Sequence, residues 1–401
     1  MTTMRVLSNV TRALLVAIAF ATPVLRPAAA EAQLSMNEVL GFLLTNRSIP
    51  TDDFVQDERA AAATAETFSA FLLAELGTLP VGSSATGFSY RLNRTLGATV
   101  RSSDSFGPIF VQRSLTAGAG RASFAVSLQS IPFDSIDGRK LRDGTFVSVA
   151  SRLDGDPELF DVETVTLRLR TDSVLVTAGY GVTDRLDVSA SVPMIRLTLD
   201  GQRLDTYRGQ EIVQATASAT SSGLGDAFLR AKYNFIRNGA SGLSVGGELT
   251  LPTGQEKNLL GTGQTTLKPR IVGSLERERV AVHGDFGYTF GGLSGELEYG
   301  VAVTMVATPR LTVIGELAAQ RLGSIGRLAE TTQPHPTLAG IETIRLTAVP
   351  ETTHRAILVF GLKWNIAGEG ILGGHVMRPV TSAGLTSRWI VALTFDYSFE
   401  Y

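Results

Sequence analysis

Twelve ionisable side chains fall on the polar phase of alternating segments between residues 230 and 396. The cations are Arg230, Lys232, Lys268, Arg270, Arg355 and Lys363, and the acids are Glu248, Asp285, Glu296, Glu298, Glu316 and Asp396. His283 shares that phase. Side chains at i and i+2 of a strand point to one face, so such a set lines one wall. Two chemistries fit a wall of this kind. One is a ladder of cross-strand ion pairs that stiffens it. The other is a charged constriction that selects solutes. A selectivity ring usually carries one dominant sign, so six charges against six favour the ladder.

Other chemistries find less support. The four histidines, at 283, 335, 354 and 375, are far apart and lack metal-ligand spacing. Gly-Thr-Gly-Gln-Thr-Thr at 261–266 has no Lys where a phosphate loop needs one and no helix after it, so it reads as a loop. An enzyme of the envelope would need a Ser or Thr nucleophile beside a His. The sequence alone pairs no Ser with His283, so no catalytic residue, cofactor or metal is expected. A formal net charge of -2 gives no reason to expect nucleic acid.

The elements that carry these charges are strands. Leu229, Ala231, Tyr233 and Phe235 are apolar, with Arg230, Lys232 and Asn234 between them, and 243–252, 279–290, 295–306 and 354–365 alternate the same way. The last thirteen residues, Trp389 to Tyr401, alternate through Trp389, Val391, Leu393, Phe395, Tyr397, Phe399 and Tyr401, with only Ile390 and Ala392 breaking the polar phase. Strands are expected near 87–94, 106–114, 121–131, 162–182, 186–199, 224–236, 243–252, 265–276, 279–290, 295–306, 311–321, 354–365, 371–378 and 388–400. The 162–182 segment changes phase near Thr171–Ser173, as a bulge or an extension above the membrane would make it.

From Val182 onward, very short connections such as Thr183–Arg185 and Ala307–Arg310 alternate with long polar ones such as Asp200–Gly223 and Leu322–Thr353, and only Gly291–Ser294 fails to be long. Bacterial transmembrane barrels have short periplasmic turns and long outer loops. On that assignment Tyr401 is periplasmic. The expected fold is therefore all-β: a transmembrane antiparallel up-and-down β-barrel of about 14 strands, or 12 if the two weak first segments are not part of it. Tyr180, Tyr233, Phe235, Tyr288, Phe290, Trp364 and Trp389 suit an interfacial girdle.

The amino terminus differs. Arg5 and Arg12 precede an apolar stretch from Ala13 to Leu25 and a run of small residues, which predicts a secretory signal peptide over 1–32. No later stretch is long and apolar enough for a transmembrane helix. Charged residues make up 18% of the chain and Cys is absent. The charged share is below the ~25% of ordinary globular proteins, and without Cys no disulfide or thiol chemistry is possible. Residues 34–79 are rich in Ala, Leu and Glu, and helical spacing predicts helices over 35–45 and 57–77. They are expected on the periplasmic side or as a lumen plug, with a linker up to 86.

Three stretches resemble a large set of bacterial outer-membrane proteins: G-Y-G-V-T-D-R-L-D-V-S-A-S-V-P (179–193), G-L-G-D-A-F-L-R-A-K-Y-N-F (223–235) with G-G-E-L-T-L-P-T-G (246–254), and R-S-S-D-S-F-G-P-I-F-V-Q-R-S-L-T-A-G (101–118) with F-D-S-I-D-G (133–138). Together they resemble the MetA-pathway of phenol degradation family, over roughly 80–401. The resemblance implies an outer-membrane barrel that passes aromatic or other hydrophobic molecules, and it supplies no catalytic residues. One departure is the terminal Tyr401, where the barrel-insertion signal usually has Phe.

The expected organisation is a signal peptide at 1–32, a helical periplasmic or plug segment with linker at 33–86, and the barrel at 87–401. The expected function is passive passage of small solutes through the outer membrane of a Gram-negative bacterium. The alternatives are a structural or adhesive barrel with a filled lumen, or an outer-membrane enzyme. The thirteen residues that open this section are the candidate lumen lining. Phe395, Tyr397, Phe399 and Tyr401 are the candidate assembly signal. The expected partners are outer-membrane lipid, the barrel-assembly machinery and a small-molecule solute.

Overall fold

The computed structural model describes residues 34–44, 54–77, 87–93, 98–293, 295–323, 325–335 and 338–400. The expected signal peptide and Tyr401 lie outside the described residues.

Twelve strands form the wall. They are β1 (Arg121–Phe133), β2 (Leu159–Gly181), β3 (Leu186–Tyr207), β4 (Ala227–Asn238), β5 (Ser241–Leu251), β6 (Thr266–Arg277), β7 (Val280–Gly291), β8 (Glu296–Thr308), β9 (Leu311–Leu322), β10 (Thr353–Ala367), β11 (Gly370–Pro379) and β12 (Ile390–Glu400). Each pairs antiparallel with the one before it, and β12 pairs with β1 through Val391↔Ser130 to Glu400↔Arg121. Closure satisfies the backbone hydrogen bonds within the wall, which a structure spanning lipid requires.

The count is twelve, the lower of the two expected numbers. Residues 87–94 and 106–114 are not wall strands. Tyr90–Asn93 and Ala98–Arg101 form a separate hairpin. The segment after it runs inside the barrel, where its backbone is satisfied by wall side chains and needs no neighbouring strand.

Two long connections read as loops are also sheet. β3 continues to Tyr207, and Gln210–Leu224 folds back along its outer half from Tyr207↔Gln210 to Met194↔Leu224. Within 322–353, Arg327–Pro334 pairs with Ile341–Val349, which pairs with Phe146–Leu153 and through it with the outer half of β2. Their polar sequences lack the apolar alternation of a wall strand, and only a few side chains, Leu328, Leu346 and Ala219 among them, turn inward to join the core. β2 itself keeps one phase throughout: Val165, Leu167, Leu169, Thr171, Ser173 and Thr177 are all buried. What changes near Thr171 is the neighbour, from an apolar cap to a polar lumen.

That cap is helical. α1 (Met36–Leu44) and α2 (Phe54–Gly77) lie at the end of the barrel with the long connections, away from Glu400. The expectation allowed the periplasmic side or the lumen, and the helices lie at the mouth opposite Glu400. They are seated in the opposite mouth because the inward faces of β2 and β3 are apolar there: Leu167, Leu169, Ile195, Leu197 and Leu199 join Val39, Leu40, Leu43, Phe68 and Phe71 in one core. A Cβ at Gly201 would overlap the Leu43 side chain, so this close approach needs glycine. Ser35 and Glu38 form a capping box at the start of α1, with Ser35 N donating to Glu38 Oε2 at 2.6 Å. These hydrogen bonds hold the Glu38 carboxyl below its usual range.

The outward phase is apolar. Leu275 (73% exposed), Ile271, Phe286, Val301, Phe360, Leu362, Trp364, Val391 and Leu393 stand on the exterior. Isolated exposed apolar side chains mean little, but a continuous band around a closed barrel is a lipid contact. Tyr397 and Phe399 continue that face, their ring centroids 6.2 Å apart.

Candidate functional site

The expected lumen lining divides into two groups. The first holds a piece of the chain. Residues 105–117 run through the lumen near the short-turn end, and wall side chains take up their backbone groups. Glu316 on β9 accepts from the N–H of Ile109, of Phe110 (2.9 Å) and of Val111 (3.1 Å). Asp285 on β7 accepts from Gln112 N at 2.9 Å, and Asp187 on β3 accepts from Ala117 N at 3.0 Å. The lysines take carbonyls. Lys232 Nζ donates to Arg113 O (2.9 Å) and Leu115 O (2.7 Å), and Lys363 Nζ donates to Pro108 O (2.7 Å). Asn234 and Ser244 both donate to Ser114 O. A buried strand without a sheet partner must have its backbone satisfied somewhere, and here acids meet N–H groups while lysines meet C=O groups. This explains why several inward charges of the lower wall are not paired simply with one another.

The hairpin Tyr90–Arg101 covers the same end. Arg121 lies 4.0 Å from the centroid of the Tyr90 ring, and Tyr90 OH donates to Glu369 at 3.3 Å. Burial, with Glu369 adding to it, pushes the Tyr90 hydroxyl up to about 12.

The second group forms an ionic belt nearer mid-height. Register places Arg230 opposite Glu248, and Glu248 opposite Lys268. Lys268 then reaches Glu298 on β8, and Arg270 bridges Glu298 and Asp285, the latter at 2.6 Å. These cations cross over β7 at Gly287. A side chain there would meet Arg270 Nε and Lys268 Cγ at 3.6 Å, in the space the bridge uses. The belt continues through Gln320, whose amide, oriented for hydrogen bonding, donates to Glu296 (2.8 Å) and accepts from Arg355 (3.0 Å).

Two cavities meet at this belt and share Glu248 and Lys268 in their linings. The one toward the helical cap has Leu73, Phe228, Leu260 and Glu296 in its wall. The one toward the inserted segment has a volume of about 120 Å³. Its floor includes Phe110, Val111 and Gln112, and its far wall includes Ala318, Ile357 and Val359. The lumen is thus closed by α1 and α2 at one end and by residues 105–117 at the other, with a chamber between them.

His283 and Asp396 lie lower. His283 Nδ1 is 2.9 Å from Ser274 Oγ and its Nε2 is 3.3 Å from Thr304 Oγ1. The expectation that no Ser could be paired with His283 is corrected, because Ser274 stands directly opposite it in register. That Ser Oγ accepts from Ser114 N at 2.9 Å, so the inserted segment seals the pair away from the chamber. Asp396 is buried on the inward face of β12. Among the described residues no cluster of His, Asp and Glu could hold a metal ion. Sequence reasoning missed Asp187, Asn234 and Gly287 as working positions. Only the alternation phase of the first two, shared with Lys232, could have indicated them.

Residues 142–314 match the family model described as MetA-pathway of phenol degradation. No curated protein matches the sequence. Among solved structures, an outer-membrane channel from Pseudomonas putida F1 is 16% identical, with 71% of this chain and 98% of that one covered and a TM-score of 0.48. A FadL homologue of Pseudomonas aeruginosa is 8% identical, covering 70% and 90%, with a TM-score of 0.31. A toluene transporter of Ralstonia pickettii is 12% identical, covering 70% and 90%, with a TM-score of 0.28. The matched span holds the motifs at 179–193, 223–235 and 246–254, and over it the chain is similar to the MetA-pathway of phenol degradation family.

Proposed function

We propose that this protein is an outer-membrane channel for passive passage of small solutes with an aromatic or other apolar body, and that residues 105–117 are its gate. One observation carries the reading. A chamber lies in the lumen of a closed barrel, and the chain that blocks one end of it belongs to no sheet: wall side chains take up its backbone groups, and Phe106, Ile109 and Val111 pack beside them. Leaving its seat costs the segment these charge-assisted bonds and its apolar packing, but it breaks no strand pairing, so the wall itself need not unfold. A structural barrel with a filled lumen would pack that interior with side chains instead. The family's description, phenol degradation, suits cargo of this kind. The carboxyl terminus then faces the periplasm, and Phe395, Tyr397, Phe399 and Tyr401 are presented to the barrel-assembly machinery.

The test is uptake by liposomes containing the purified full-length protein, with radiolabelled benzyl alcohol as probe and protein-free liposomes as control. The expected result is uptake above the lipid background that rises when residues 105–117 are released from the wall. Uptake equal to protein-free liposomes, both for the intact protein and for a Glu316→Ala variant that still forms the barrel, would refute the channel.

A further inference from the structure

The chamber has two unlike walls. On the side of β4 to β8 it is lined by the belt. On the side of β9 and β10 it is lined by Ala318, Ile357 and Val359, and Phe110 closes it from below. Arg355 occupies the inward phase of β10 two residues before Ile357, where the apolar wall meets the polar one. Gln320 fixes one side of its guanidinium.

Charge gives the second argument. The lining holds four cations (Arg230, Lys268, Arg270 and Arg355) against three carboxylates (Glu248, Asp285 and Glu298). Asp285 also accepts a backbone N–H from Gln112. On the lining itself the cations exceed the acids by one, with Glu296 of the same belt facing in from the adjoining cavity, and electrostatic interactions in this partly enclosed space are stronger than in water. A planar guanidinium suits a carboxylate, which it can grip with two parallel hydrogen bonds. The volume, about 120 Å³, is a little below that of an apolar cavity of ~150 Å³ that takes up one benzene ring. A single ring is therefore the largest apolar body that fits, with a short polar group reaching toward the charged side.

We propose that this chamber is a binding station for a small single-ring aromatic carboxylate. The ring lies on Phe110, Ile357 and Val359, and the carboxylate meets Arg355. This rests on the channel reading and specifies the cargo that pauses in it. A solute with a cationic head would face the net positive lining at the same depth. A solute with no ring would leave the apolar wall uncovered.

The experiment is calorimetric titration of the purified full-length protein in detergent with benzoate, benzylamine and acetate, with empty micelles as control. Benzoate is expected to bind saturably, and benzylamine and acetate at least tenfold more weakly. Arg355→Met is expected to weaken benzoate at least tenfold. Ile357→Glu, which puts a carboxylate on the apolar wall, is expected to abolish benzoate binding and admit benzylamine. Heat-dependent gel mobility confirms that each variant is a folded barrel. Equal binding of benzoate and benzylamine, or an unchanged benzoate affinity in folded Arg355→Met, would overturn the proposal. The two readings fail separately. Benzoate uptake by liposomes without saturable binding sinks the binding station and leaves the channel. Saturable binding without uptake of any probe sinks the channel and leaves the station.

Discussion

Replacing Glu316 with Ala should loosen residues 105–117 from the wall. The carboxylate accepts three consecutive backbone N–H groups, from Ile109, Phe110 and Val111. Hydrogen bonds to a charged group are worth about 1.5–3 kcal/mol each, so three would sum to several kcal/mol. Neighbouring bonds are not additive and water from the chamber will reach some of the freed donors, so about 3 kcal/mol is a fair figure for the loss. At 1.4 kcal/mol per factor of ten, the released population should rise roughly 100-fold. The chain has no Cys, so a single introduced thiol reports alone. Ser114→Cys suits the purpose, because Ser114 is fully buried and its hydroxyl makes no hydrogen bond. Maleimide labelling of that thiol in folded barrels should run about two orders of magnitude faster with Glu316→Ala, if release is fast relative to labelling. A rate within about threefold of the parent, with the barrel intact by heat-dependent mobility, would refute the anchoring role. Labelling of the parent as fast as that of a free thiol would refute the anchoring role equally.

The remaining predictions concern the cap, the short-turn end and the terminus. Gly201→Val should push Leu43 from its seat and cost about 1–3 kcal/mol as overpacking does, seen as a lower thermal midpoint and faster proteolysis within α1 and α2. Tyr90 has a hydroxyl raised to about 12 by burial, then by Glu369, so its folded form holds the proton more tightly than the unfolded chain. Its contribution to stability should therefore be whole below about pH 10, fading as pH rises toward 12. Absorbance at 295 nm should show Tyr90 ionising together with loss of the hairpin, and Tyr90→Phe should remove that step. Deleting Tyr401 should lower the yield of assembled barrel more than any single change of a lumen charge does. An undiminished yield, measured as the heat-modifiable fraction in isolated outer membranes, would count against that.

The sequence by itself determined the wall. Alternation with period two is a local property, set by one face in lipid and one in the lumen, so β4 to β10 and β12 can be read residue by residue. The balance of inward charges also pointed to pairing, and Arg230–Glu248–Lys268 is such a ladder. Tertiary structure decided what those charges meet. Lys232, Glu316 and Lys363 look like ladder members in sequence, yet their partners lie in 105–117, between 117 and 255 positions away. The segment 106–114 alternates well enough to resemble a strand, but a strand needs a neighbour, and its backbone is satisfied by side chains instead. The helices follow the same logic. Their greasy faces were legible, whereas the end of the barrel they cap depends on where Ile195, Leu197 and Leu199 turn inward. A wall is written in local periodicity. What fills it depends on which distant donors and acceptors face each other once the ring has closed.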